Sequence, residues 1–209
     1  MRRFLKTFAF GITTQRRACP CSLEKWLCFA IVPVLWALIA ATNLAAQQQR
    51  LSEYQVKATY LYNFGRFVRW PKTFASGKDD SFGVCVLGQD HFGPALDSTF
   101  AGETLAGKPV VIRRISKPQD AAGCRILFIS SSEEVHLQAI LSVIDDAGTL
   151  TVSDMRDFTQ RGGMIQFVLE SNRIRFEINL ASAERSRLVL SSELLKVAFT
   201  VRRNAPPGE

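Results

Sequence analysis

Apolar positions change their spacing several times along the chain, and each change marks an element. Tyr54, Ala58, Leu61, Phe64 and Val68 recur at helical spacing within SEYQVKATYLYNFGRFVRWP, which predicts a helix with one buried face. Ser52 stands where an N-cap belongs, and Pro71 pushes Trp70 out of helical geometry, so the helix is expected to stop at Trp70. Tyr60, Tyr62 and Phe67 lie off the stripe; they either cover a neighbouring element or form an exposed aromatic patch. Four short apolar runs follow, FGVCVLG, KPVVIRRI, CRILFIS and GTLTVSD, whose length and β-branched content predict strands. Between them, DHFGPALDSTFAG is expected to give a broken helix and SEEVHLQAILSVIDD an amphipathic one capped by Ser132. Strand and helix alternating in this way imply a partly parallel sheet with helices on both faces.

The last third alternates instead. Ile165, Phe167 and Leu169 on one arm and Ile174, Phe176 and Ile178 on the other predict an antiparallel hairpin, with SN as its turn. Arg173, Arg175 and Glu177 point away from that apolar face. SAERSRLVLSSELLKVAFTV then gives two helical pieces, the second capped by Ser191 or Ser192. The whole reads as an α/β fold, a single compact domain with a mixed sheet of about six strands flanked by about five helices, ending in a C-terminal antiparallel hairpin.

The first 46 residues differ in kind. Six cations precede an apolar run from Trp26 to Ala41, and a short polar stretch follows Ala46. That order predicts a secretory signal over 1–46 and a mature domain over 47–209, with its core at about 53–201. The run is 16 residues and contains Pro33, short of the ~20 apolar residues a spanning helix needs. An uncleaved anchor is the competing expectation. The leader also explains the apparent basicity. The chain has 26 Lys and Arg against 19 Asp and Glu; the leader takes six and one, leaving a net +2 for residues 47–209. No clustered positive excess of the kind nucleic acid requires remains. Cys19, Cys21 and Cys28 belong to the leader, so export leaves Cys85 and Cys124. An even count outside the cytoplasm argues for a disulfide, the alternative being two buried free thiols.

Candidate chemistry is sparse. Cys85 lies mid-strand among apolar residues, which raises a thiol pKa and makes it a poor nucleophile. His136 sits on the amphipathic helix as a surface residue, and nothing in the pattern fixes His91 against the sulfur. Gly88 and Gly93 lack the spacing of a phosphate-binding loop. Asp154 and Asp157 in SDMRDFTQRGG have no third ligand in sequence, so capping by Ser153 or Asp154 is the simpler role. The expectation is a chain that is not an enzyme, with no catalytic residues, metal or cofactor.

VKATYLYNFGRFVRWP, GCRILFIS and GGMIQFVLESNRIRFEINLASAERSRLVLSSELLKVA together resemble the YfiR family of periplasmic proteins, over about Glu53 to Val201. The resemblance implies a small exported regulator that binds the periplasmic sensor domain of an inner-membrane diguanylate cyclase and holds it inactive, lowering cyclic-di-GMP and biofilm formation. It also implies a compact α/β fold, a capacity to form a homodimer, and a core disulfide that Cys85 and Cys124 match. The second cysteine pair of some members is absent from Gly162 to Phe176.

Such a regulator needs differential affinity for one state of its partner rather than a catalytic group. Aromatic and arginine residues dominate interface hot spots, which points to Tyr60, Phe67, Arg69 and Trp70 at the end of the first helix and to Arg173, Arg175 and Glu177 on the hairpin. The alternative roles are structural: Trp70 packing on the sheet, and the hairpin charges keeping an edge solvated. A second function of another class is a periplasmic small-ligand sensor acting on a membrane receptor or kinase, with the loops after Gly88, Ser130 and Ser153 lining its crevice.

Overall fold

The computed structural model describes residues 53–71, 81–144 and 148–203, all within one compact unit, Gln47–Glu209. The leader expected over 1–46 and the cap assigned to Ser52 lie outside the described residues. The described residues begin with helix α1 (53–67). It continues through β1 (Val68–Arg69), β2 (Phe82–Leu87), α2 (Pro94–Phe100), β3 (Thr104–Leu105) and β4 (Lys108–Ile115). A 3-10 turn (Pro118–Ala121) leads to β5 (Cys124–Ile129), and another (Ser131–His136) leads into α3 (Leu137–Ile144). The remainder is β6 (Leu150–Ser153), β7 (Ile165–Glu170), β8 (Arg173–Asn179), α4 (Leu180–Arg185), β9 (Val189–Leu190), α5 (Ser192–Val197) and β10 (Thr200–Arg202).

Eight strands form one mixed sheet in the order β10-β8-β7-β6-β5-β2-β4-β3, and β1 pairs with β9 in a separate antiparallel ribbon. Strands β4, β2, β5, β6 and β7 run parallel, β8 returns antiparallel to β7, and β10 lies parallel to β8. The continuous apolar runs β2 and β5 are buried on both faces because the sheet divides two cores. Val84, Val86, Ile126 and Phe128 face α1, α2, α4 and α5. Cys85, Leu87, Leu127 and Ile129 face α3 and the Pro118–Ala121 turn. The mixed α/β class with helices on both faces is as the pattern predicts.

The strand count differs, since β1, β3, β9 and β10 are two or three residues long, too short to show any period. The helix stops short of Trp70: α1 ends at residue 67, and Val68 and Arg69 pair with Leu190 and Val189. The cap before α3 is Ser130, whose side chain accepts from Ser132 N–H, and the first turn is 3-10. The Ser132 hydroxyl instead accepts from Gln89 N–H at 3.0 Å. The hairpin turn does fall on Ser171 and Asn172, both with positive φ of 48° and 60°, as a type I′ turn requires. Ser191 caps α5 by accepting from Leu194 N–H.

Cys85 and Cys124 form a disulfide with Cα atoms 5.8 Å apart. Strand parity alone would forbid it. Cys85 lies opposite Leu127, and Cys124, three residues before Leu127, would face the other way in a regular strand. The register shifts beside Gly83, where Cys124 opposes Gly83 but Ile126 opposes Val84. Arg125 is therefore the extra residue of a bulge, and the bulge turns Cys124 onto the Cys85 face. Gly83 is needed at this spot because a Cβ there would lie 2.5 Å from the Gly123 carbonyl oxygen. The bond closes a separation of 39 residues, worth about 4 kcal/mol in the loop-entropy model. The double variant Cys85→Ala/Cys124→Ala should lose about that much unfolding free energy in urea titrations. A loss below about 1 kcal/mol would contradict this account of the staple.

Candidate partner-binding groove

Helix α1 carries two apolar stripes. The first, Ala58, Leu61 and Phe64, is fully buried. The second runs through Val56, Tyr60 and Phe67, with the polar Asn63 between the last two, and Val56 and Phe67 remain exposed at 40% and 38%. Ring contacts seat the helix on the hairpin: Phe64 meets Phe176 edge-on at 5.1 Å and stacks near Phe167 at 5.9 Å. Tyr60 meets Phe176 at 5.4 Å, and its hydroxyl donates to the Ile174 carbonyl at 3.3 Å. Alongside, the ribbon β1–β9 delivers α5. Ser191 N–H donates to the Phe67 carbonyl at 2.9 Å, tying the end of α1 to the start of α5.

Between these two helices lies an open groove of about 220 Å³. Its floor is Phe64, Phe176 and Leu194; its walls include Tyr60, Phe67, Val197 and the polar pair Asn63 and Glu193. Val197 is 63% exposed. Hydrogen bonds from the Glu193 backbone and the Ser191 side chain hold the Glu193 carboxyl below the usual range, and Arg69 adds to this from β1. The rim is thus apolar with one fixed carboxylate and one nearby guanidinium.

The structure sorts the seven sequence candidates into three places. Tyr60 and Phe67 line the groove and Arg69 flanks it through Glu193. Trp70 turns inward, donating from its indole N–H to the Arg125 carbonyl at 3.2 Å and meeting Phe82 edge-on at 5.1 Å. Arg173 and Arg175 are exposed on the hairpin's other face, with the Arg175 guanidinium 5.2 Å over the Phe199 ring. Glu177 accepts from the Thr159 hydroxyl at 3.4 Å and lies 3.8 Å from Arg202. Asn63, Glu193, Leu194 and Val197 are groove residues that the pattern did not single out. The second α1 stripe was the available signal; the α5 residues come into play only through the β1–β9 pairing.

The other sequence candidates have structural partners. Buried Lys57 donates to Asp154 at 2.7 Å and pairs with Glu53, and the Tyr54 hydroxyl also donates to Asp154 at 2.9 Å. This pins α1 to the end of β6 and gives Asp154 an ion-pair role instead of a cap. Ser153 caps instead, accepting from Met155 N–H at 3.1 Å. His136 is exposed beside Glu133, and His91 packs near the Tyr54 ring at 5.5 Å. Among the described residues no three His, Cys, Asp or Glu side chains come together to hold a metal. The loops after β2 and β5 bond to each other through Gln89 N–H and the Ser132 hydroxyl, and a Cβ at Gly88 would sit 2.5 Å from that oxygen. The β2–α2 loop is clamped further by Arg114, which donates to Asp90 at 2.8 Å and to Asp97 at 2.6 Å.

Phe64→Ala removes the groove floor together with core packing and should cost about 3–5 kcal/mol. Phe67→Ala, on the exposed wall, should stay within about 1 kcal/mol; equal costs in urea unfolding would refute the division into floor and wall. The Arg114 hydrogen bond holds the Asp97 carboxyl below its usual range. Asp97 therefore stabilises the fold above its unfolded-state pKa, and that contribution fades as pH falls through its lower folded value. In Arg114→Ala, a carboxyl-detected NMR titration should show Asp97 titrating at higher pH than in the parent; an unchanged midpoint would remove the clamp.

Two solved structures align with part of the chain. A conserved domain protein from Vibrio cholerae O1 biovar El Tor shares 12% identity over 59% of this chain and 55% of its own, with a TM-score of 0.44. The ABC domain in complex with L-Trp from Streptococcus pneumonia shares 10% over 57% and 55%, with a TM-score of 0.42. The chain thus matches about half the length of each. The family model described as YfiR/HmsC-like matches residues 54–199, from the first turn of α1 to the ring beneath Arg175, and on that match the chain belongs to the YfiR/HmsC-like family.

Proposed function

We propose that this chain is an exported, non-catalytic regulator that binds the periplasmic domain of an inner-membrane diguanylate cyclase and holds the cyclase inactive. Membership of the YfiR/HmsC-like family supports the broader reading of a periplasmic regulator. The observation that carries the binding mode is the apolar groove between α1 and α5, with Phe67 and Val197 left exposed beside a packed aromatic floor. Exposed aromatic and aliphatic side chains around a desolvated floor are the anatomy of an interface hot spot. Groove size favours a protein partner over a free metabolite: about 220 Å³ is below the ~300–1,000 Å³ of typical small-molecule sites and suits a few apolar side chains. The ligand-sensing alternative would place its site at the strand-end loops, and two of these are hydrogen-bonded to each other across the sheet's switch point.

The test is cyclic-di-GMP synthesis in spheroplasts carrying the cyclase, with the domain Gln47–Glu209 added outside. The parent domain should suppress synthesis, and Phe67→Glu should need about thirtyfold more protein for the same effect, as loss of a ~2 kcal/mol hot spot implies. No suppression by the parent would sink the cyclase reading. Equal potency of Phe67→Glu would move the contact off the groove.

A further inference from the structure

The net positive charge of the domain arises in one stretch. Residues 47–186 hold sixteen cations and sixteen carboxylates, whereas 187–203, RLVLSSELLKVAFTVRR, hold four cations and one carboxylate. Elsewhere several of the cations are held by acids: Lys57 by Glu53 and Asp154, Arg114 by Asp90 and Asp97, Arg161 by Glu134. Arg187, Lys196 and Arg203 are exposed and make no ion pair among the described residues. The same stretch displays three large apolar side chains to solvent, Val189 at 58%, Val197 at 63% and Phe199 at 45%. Each sits next to a cation. Val189 is the register partner of Arg69, Val197 follows Lys196, and Phe199 lies under Arg175.

We propose that the β9–α5–β10 corner is a membrane-surface site that takes a bilayer carrying anionic phospholipid. Free cations attract an anionic headgroup layer, and protruding apolar side chains beside them enter the headgroup boundary. An acidic protein would also answer the charge. It would leave the interleaved valines and phenylalanine unexplained, whereas a lipid surface satisfies both without a matching shape. The site adjoins the groove, to which α5 also contributes Glu193, Leu194 and Val197, and it does not depend on the identity of the protein partner. Its effect would be to hold the regulator at the membrane in which that partner resides.

The test is co-sedimentation of the domain Gln47–Glu209, which contains both cores, with vesicles of phosphatidylcholine alone or mixed with phosphatidylglycerol. Binding should occur only with the anionic vesicles and should weaken as salt rises. The variant Arg187→Gln/Lys196→Gln/Arg203→Gln should bind about a hundredfold more weakly, at about fivefold per cation. Val189→Ser/Phe199→Ser should weaken binding while leaving the salt dependence in place. All five positions are exposed, and a matching thermal unfolding curve verifies that each variant is folded. Absence of binding at low salt, equal binding to both vesicle types, or full binding by the triple variant would each overturn the proposal. If the parent ignores vesicles yet the triple variant loses cyclase suppression, the corner contacts protein, and the lipid site is refuted while the regulator reading stands.

Discussion

The structure depends most on how α1 is seated. A helix that approaches a sheet with one apolar stripe buries it and is finished; α1 carries two. Phe64 and Leu61 anchor the first stripe in the core, and the ring contacts of Phe64 with Phe167 and Phe176 set the helix against the hairpin. Once that orientation is chosen, the second stripe has to face sideways. The β1–β9 ribbon brings α5 alongside it, though not near enough to cover Phe67. The groove is thus a by-product of core packing, and its floor cannot be altered without disturbing the same aromatic cluster that stabilises the fold. The Lys57–Asp154 pair fixes the other end of the helix to β6, so α1 is constrained at both ends.

Much of this was legible in the sequence. Continuous apolar runs identified β2, β5 and β6 because strands buried on both faces need no alternation, β4 was legible from its β-branched residues, and the hairpin was legible because β7 and β8 do alternate. The Ser171–Asn172 turn and the Ser191 cap were readable for a local reason: their chemistry is set by one or two residues. What was hidden depends on partners distant in sequence. Two-residue strands such as β1 and β9 have no period to detect; only pairing creates them. Lys57 reads as a polar residue beside the buried stripe, and its partner Asp154 is 97 residues away.

The disulfide shows how the two kinds of information combine. Cysteine count and compartment argued for the bond, and the bond is present. Yet CRILFI reads as a regular strand, and a regular strand would have turned Cys124 away from Cys85. Only the extra residue at Arg125 and the bare backbone of Gly83 permit the geometry. Among the surface candidates, Trp70 was ambiguous for a related reason. An aromatic before a proline can pack inward or face out, and the choice was made by the Phe82 ring and the Arg125 carbonyl.

A regulator shifts its partner only as far as its affinities for the partner's two states differ. That difference can arise in the regulator, if it has a bistable element, or in the partner, if the regulator is a fixed template. The floor residues Phe64, Phe176 and Leu194 are buried core members, and moving them would open a cavity at a cost of several kcal/mol. The disulfide staples the sheet behind them, and α1 is pinned at each end. Under the proposed function, the groove acts as a rigid template: it accepts one arrangement of the partner's apolar side chains and penalises the other. Selectivity then lies in the fit to a surface that folding has already fixed, and the moving part belongs to the membrane protein.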